Sequence, residues 1–186
     1  MKVIEHPESF KKGTRILLIT LRNKDGGEGS NRSAKKMISR NPEEFDKCME
    51  ILIKRRRGME RIYSTVDERD IEKAIRIFKG RQLDADYYDI ESKHSFYIDI
   101  WNRWISSIQS GGARKGTLFM VDVDDDKNEE DRIRQEIKEK GIELVHEYPT
   151  KNGRHFILNP FNPSLVSFDC LKNHMMLWVY EETECV

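Results

Sequence analysis

The chain has 186 residues, 35% of them charged and 37% hydrophobic, with 33 Lys and Arg balancing 33 Asp and Glu. This supports a packed core beneath a highly charged surface, in one sizeable domain or two fused lobes. There is no apolar run of membrane-spanning length, no signal-peptide core, and no CxxC spacing among Cys48, Cys170 and Cys185. A membrane protein, a zinc module and a disulfide scaffold are therefore excluded, and a reducing, cytoplasmic setting is expected.

In chain order, the apolar run at 14–21 predicts a strand. Residues 23–41 are polar, with a flexible loop expected at 25–31. Asn41-Pro42-Glu43-Glu44 has the form of a helix start, with Asn as N-cap and Pro in the first turn. That helix is expected to reach about residue 57 and to bury Phe45, Met49, Leu52 and Ile53. A strand follows at 60–66. Asp67 is then expected to cap a helix over 68–79, and a further amphipathic helix spans 92–109, closed by Gly111-Gly112. From residue 116 the order is strand to 124, helix 129–140, strands 142–147 and 155–158, a short helix or loop, and strand 175–180. The predicted fold class is α+β: an RRM-like βαββαβ antiparallel sheet over 113–186, fused to an N-terminal αβ lobe over 1–112 in a single domain.

Neutrality overall hides an asymmetry. Residues 1–57 carry 15 Lys and Arg against 8 Asp and Glu, and residues 58–186 carry 18 against 25. A basic lobe beside an acidic one suits a phosphate-rich polymer, although two solvated faces of different sign would give the same count.

The informative motif is Phe119-Met120-Val121-Asp122-Val123-Asp124. Alternation along a strand puts Asp122 and Asp124 on one face, where like charges favour a hard divalent cation between them. The plain alternative is an acidic loop capping the next helix, a role better suited to Asp125 and Asp126. Downstream, Thr150-Lys151-Asn152-Gly153-Arg154-His155 forms a basic, hydrogen-bonding turn that delivers a His into an apolar strand. Arg, Lys and His in such a turn suit phosphate oxygens. Arg61 and Tyr63, in the strand at 60–66, have side chains suited to a template or nucleotide. Asp169, Lys172 and Glu181 are further polar groups within reach of such a site, with helix capping or solvent exposure as the alternative.

Taken together, the hhhDhD strand, the later polar-x-His strand and the βαββαβ order resemble the archaeo-eukaryotic primase superfamily, the primase-polymerase type. Residues 61–70 are also similar to a Tyr-Ser-Val-Asn-x-Arg-Asp stretch of some members, and the resemblance covers about residues 60–180. It implies that Asp122 and Asp124 hold Mg²⁺ or Mn²⁺ and that His155 contacts the phosphates of a nucleoside triphosphate. Thr150 or Asn152 stands where the family has Ser. The family's third acid corresponds to Asp169 by dipeptide or to Glu181 by strand position. The implied activity is template-directed nucleotidyl transfer on single-stranded DNA or RNA, possible partners including a replicative helicase. Lys151, Arg154 and Lys172 would assist on the nucleotide. Arg55, Arg56 and Arg57, with Arg32, Lys35 and Lys36, would follow the template backbone. Two rivals are a catalytically inactive single-strand-binding accessory domain of the same fold and a metal-dependent nuclease using the same acids.

Overall fold

The computed structural model describes residues 1–21, 32–88, 90–124 and 126–181. The expected loop at 25–31 and the capping role given to Asp125 lie outside them. Among the described residues the chain is α+β with antiparallel sheets, and no helix is long and apolar enough to cross a membrane.

The larger sheet is built from β1 (Lys2–Val3), β2 (Arg15–Leu21), β3 (Arg32–Ser39), β4 (Arg61–Thr65) and β11 (Met175–Tyr180), in the order β1-β11-β4-β2-β3. Helix α1 (Pro42–Arg55) covers one face. Asn41 caps it by accepting the Glu44 N–H at 2.9 Å, and Phe45, Cys48, Met49 and Leu52 turn inward onto Leu17, Ile19 and Trp178. Each such large side chain removed from water contributes about 1.5–3 kcal/mol. Trp178 keeps its polar end satisfied by donating to Ser64 Oγ at 2.7 Å.

A short pair, β5 (Glu68–Arg69) and β6 (Arg114–Lys115), joins this region to a helical layer of α2 (Ile71–Tyr88), α3 (Ile90–Ile98) and α4 (Ile100–Gln109). Ile16 packs there against Ala74, Ile105 and Ile108.

The smaller sheet comprises β7 (Phe119–Asp124), β8 (Leu144–Thr150), β9 (Gly153–Leu158) and β10 (Leu171–Lys172), in the order β10-β7-β9-β8. Helix α5 (Lys127–Glu139) covers its outer face, where Ile133 and Ile137 meet Phe119, Val121, Val123 and Phe156. Asp126 caps α5 by accepting from Asn128 N and Glu129 N. The inner face sends Met120, Tyr148 and Ile157 into the same core as Ile62, Leu177 and Val179 of the larger sheet.

Several sequence expectations need correction. Residues 32–39, for which polar composition suggested no strand, form an edge strand; an edge tolerates polar, basic residues because only one side is paired. Asp70, not Asp67, caps the following helix, accepting from Lys73 N at 3.0 Å. Asp67 is buried, accepts from Leu118 N at 2.8 Å and lies 3.7 Å from Arg114. The helix expected at 92–109 breaks at Asp99 into α3 and α4, although the Asp99 N–H still donates to the Ser95 carbonyl at 3.3 Å and the Asp99 carbonyl accepts from Arg103 N at 3.0 Å. After β9 a 3-10 turn at Pro163–Leu165 stands where a short helix or loop was expected, followed by the unexpected short strand β10. Met175–Tyr180 leaves the smaller sheet to run between β1 and β4. Met176 to Tyr180 are buried on both faces, and a central strand accommodates that where an edge would not. The sequence division at 112/113 is therefore crossed by both β11 and the β5–β6 pair.

Candidate functional site

The inner faces of the two sheets meet at a cavity of about 280 Å³. Its walls follow from strand register. In the smaller sheet, antiparallel pairing sets Asp122 opposite His155 and His155 opposite Tyr148, so the three form one row across β7, β9 and β8. The next row is Asp124, Gly153 and Thr150. In the larger sheet, Leu18, Tyr63 and Leu177 form a row across β2, β4 and β11, with Thr20 opposite Arg61 beside it. These rows supply most of the lining, joined by Asn152, His174 and Met175.

Two features hold the acid and imidazole in place. The hairpin between β8 and β9 turns on Lys151 and Asn152, which fixes the Tyr148–His155 register. Gly153 then has φ +139°, and a Cβ on it would lie 1.9 Å from the Val123 carbonyl oxygen. Only glycine lets β9 approach β7 this closely beside the carboxylates.

His155 Nε2 lies 2.8 Å from Asp122 Oδ1, and Nδ1 lies 2.7 Å from the Tyr148 hydroxyl. Tyr148 in turn accepts the Leu177 N–H at 3.3 Å. The His155 side chain is 9% exposed and that of Asp122 43%, so the ring is fixed while the carboxylate borders open space. Burial pushes the Tyr148 phenol well above its usual pKa, which keeps it a proton donor. Behind it lies a second imidazole pair. His6 Nδ1 is 3.0 Å from His146 Nε2, and His6 Nε2 is 2.8 Å from the Leu177 carbonyl. Burial lowers His6 to about 4 and also lowers His146.

The predicted site residues divide cleanly. Asp122, Asp124, Thr150, Asn152, His155, Arg61 and Tyr63 all line the cavity. Arg61 is buried there, on the wall formed by the larger sheet. Arg154 does not share it. As the neighbour of His155 it points to the opposite face, where its guanidinium meets Glu130 at 3.2 Å and Glu147 at 3.5 Å. Lys172 sits 5.0 Å over the Phe119 ring, on the face packed against α5. Lys151 occupies the hairpin turn and does not line the cavity.

The two candidates for a third acid are also elsewhere. Asp169 is exposed in the loop before β10 and is absent from the lining. Glu181 pairs with the Met1 amino group at 3.1 Å and with Arg56. It stands six residues beyond the lining residue Met175, about 20 Å along an extended chain. Arg56 is thereby a clamp at the end of α1, also donating to the Gly58 and Glu60 carbonyls. Arg55 and Arg57 are exposed around a separate hollow shared with Lys35 and Lys54. Lys36 donates to Gln109 at 3.0 Å from β3.

Among the described residues, no group of three or more His, Cys, Asp or Glu is poised to hold a metal ion. The donor set in the cavity is two carboxylates at alternate positions of one rigid strand. It fits a hard cation that takes its remaining oxygens from a bound phosphate chain, the usual manner of Mg²⁺. It does not fit an all-protein cage. Sequence reasoning missed Tyr148, Thr20 and His174. Tyr148 was legible, because a two-residue turn between Thr150 and Gly153 sets it opposite His155. Thr20 and His174 enter only through packing between the sheets. Comparison of this chain with protein-family models, curated proteins and solved structures found no match.

Proposed function

We propose that the cavity binds a nucleoside triphosphate with Mg²⁺ or Mn²⁺ and serves template-directed nucleotidyl transfer, as a minimal primase-polymerase. The observation that carries this reading is the convergence on one cavity of Asp122 and Asp124 with His155, Arg61 and Tyr63, from strands far apart in sequence. The strand order β10-β7-β9-β8, with β7 and β9 central, supports the same reading.

The roles follow from chemistry. Asp122 and Asp124 would hold the cations. His155 would donate its Nε2 proton to a phosphate oxygen, and buried Arg61 would offset phosphate charge from the opposite wall. Thr150 and Asn152 supply polar contacts at the turn, and Tyr63 offers a ring face to a base or sugar. A bound cation would neutralise the phosphates and lower the pKa of an attacking hydroxyl. Primer extension on single-stranded DNA with Mn²⁺ tests the reading. Incorporation that survives Asp122→Asn with Asp124→Asn would overturn it.

The catalytically inactive single-strand-binding alternative is favoured by one observation: among the described residues, the cavity lining holds no acid besides Asp122 and Asp124. It expects salt-dependent binding to single strands and no thermal stabilisation by Mn²⁺ plus a nucleoside triphosphate. A clear thermal shift would exclude it.

A further inference from the structure

Three imidazoles and a phenol lie on consecutive contacts running inward from the cavity, and their donor and acceptor roles can be worked out in order. The Leu177 N–H can only donate, so the Tyr148 oxygen accepts at 3.3 Å. Its own hydrogen is then free to go to His155 Nδ1 at 2.7 Å. At the far side of the ring, Asp122 Oδ1 lies 2.8 Å from Nε2, and an ionised carboxylate can only accept. Both ends of the ring therefore ask for the same tautomer, with the proton on Nε2. The same residue bonds the neighbouring pair: the Leu177 carbonyl can only accept, so His6 carries its proton on Nε2.

We propose that Tyr148 is a positioning residue: its hydroxyl donates to Nδ1 of His155 and holds the ring as the Nε2–H tautomer, so that one N–H donor faces the cavity. The carboxylate alone cannot guarantee this. Once a phosphate oxygen replaces Asp122 as the partner of Nε2, a ring free to carry its proton on Nδ1 would set a lone pair against that oxygen. Tyr148 removes that option from behind. The phenol is well placed to do so. It is 1% exposed, its row in the sheet is fixed by the hairpin register, and its oxygen is held by the backbone of β11. The consequence for phosphate binding rests on the nucleotide reading above; the tautomer assignment does not.

The test is ¹⁵N-histidine NMR of the full chain, reading which His155 nitrogen is protonated, in four proteins: wild type, Asp122→Asn, Tyr148→Phe and the double variant. In Asp122→Asn the amide can donate or accept, so Tyr148 alone decides. The expected result is Nε2–H in wild type and in Asp122→Asn, and a mixture of tautomers in the double variant. An Nδ1–H ring in Asp122→Asn overturns the proposal, as does an unchanged Nε2–H ring in the double variant. Should the Phe variants fail to fold, the Asp122→Asn spectrum still decides. Titration of wild type and Tyr148→Phe with a non-hydrolysable nucleoside triphosphate and Mn²⁺ should show affinity about tenfold weaker in the variant, the scale of one hydrogen bond. No nucleotide binding by wild type with Nε2–H intact overturns the phosphate role and the nucleotidyl-transfer reading together. Nucleotide binding with an Nδ1–H ring overturns only the role of Tyr148.

Discussion

The two faces of the four-stranded sheet differ sharply although they share every strand. The inner face presents Asp122, Asp124, His155 and Thr150 to a cavity. The outer face carries Arg154 and Glu147, which pair with each other and with Glu130 and Arg134 of α5. Arg154 and His155 are adjacent in sequence and belong to the same basic turn, yet one is a surface strut and the other a cavity wall. The pleat decides: a charge suited to phosphate contributes nothing to a site when its Cβ points away from it.

The largest expected break in this contrast is at the carboxylates. Asp122→Asn with Asp124→Asn should lower Mn²⁺-dependent nucleotide incorporation by about 10³-fold or more, the scale of several kcal/mol of lost charge stabilisation. Primer extension measures it, with denaturant unfolding as a check that the fold is retained. Next is Gly153→Ala. Its Cβ has no room beside the Val123 carbonyl, and φ +139° disfavours any side chain. The expected cost is about 3 kcal/mol or more, read as a lower urea midpoint with an unchanged slope.

The interior behind the inner face should respond to pH. His6 falls to about 4 in the folded protein from an ordinary 6.5, first through burial and then through the nearby His146 and His155; its bond to the Leu177 carbonyl opposes the fall. Between those two values the unfolded chain binds the proton more readily than the native state. This contribution is thus fully present above about pH 6.5 and is lost as pH falls toward 4, by up to about 3 kcal/mol. Urea unfolding across that range should show a shallower pH dependence for His6→Gln than for wild type. An equal slope would mean that folding does not lower the His6 pKa.

The smallest effect should come from the outer face. Arg154→Ala should leave nucleotide affinity within about twofold and cost about 1 kcal/mol of stability or less, as expected for partly exposed ion pairs. Arg61→Ala, on the cavity wall, should weaken nucleotide binding by about tenfold or more if that cation faces phosphate. Equal losses from the two variants would dissolve the distinction between the faces.

Much of the local structure was legible. Asn41-Pro42 starts α1, and Phe45, Met49 and Leu52 of its apolar stripe are buried, with Ile53 partly so. The FMVDVD alternation separates Val121 and Val123, packed on α5, from Asp122 and Asp124 in the cavity. Other features were hidden. The polar composition of β3 conceals a strand that an edge position permits. The apolar run 175–180 signals a buried strand without saying which sheet receives it. Asp67 looked like a cap because nothing local reveals a buried carboxylate held by Leu118 N.

The sequence by itself determined the acid pair, its shared face and the polar hairpin before His155, because these depend on pleat and turn chemistry within a few residues. Only the tertiary structure decided which groups join them. Arg61, Thr20, Tyr63 and His174 arrive because the larger sheet packs on the smaller one, while Glu181 is carried to the far end of β11. Those outcomes are set by sheet order and strand length, which arise from burial of distant apolar faces rather than from any local pattern.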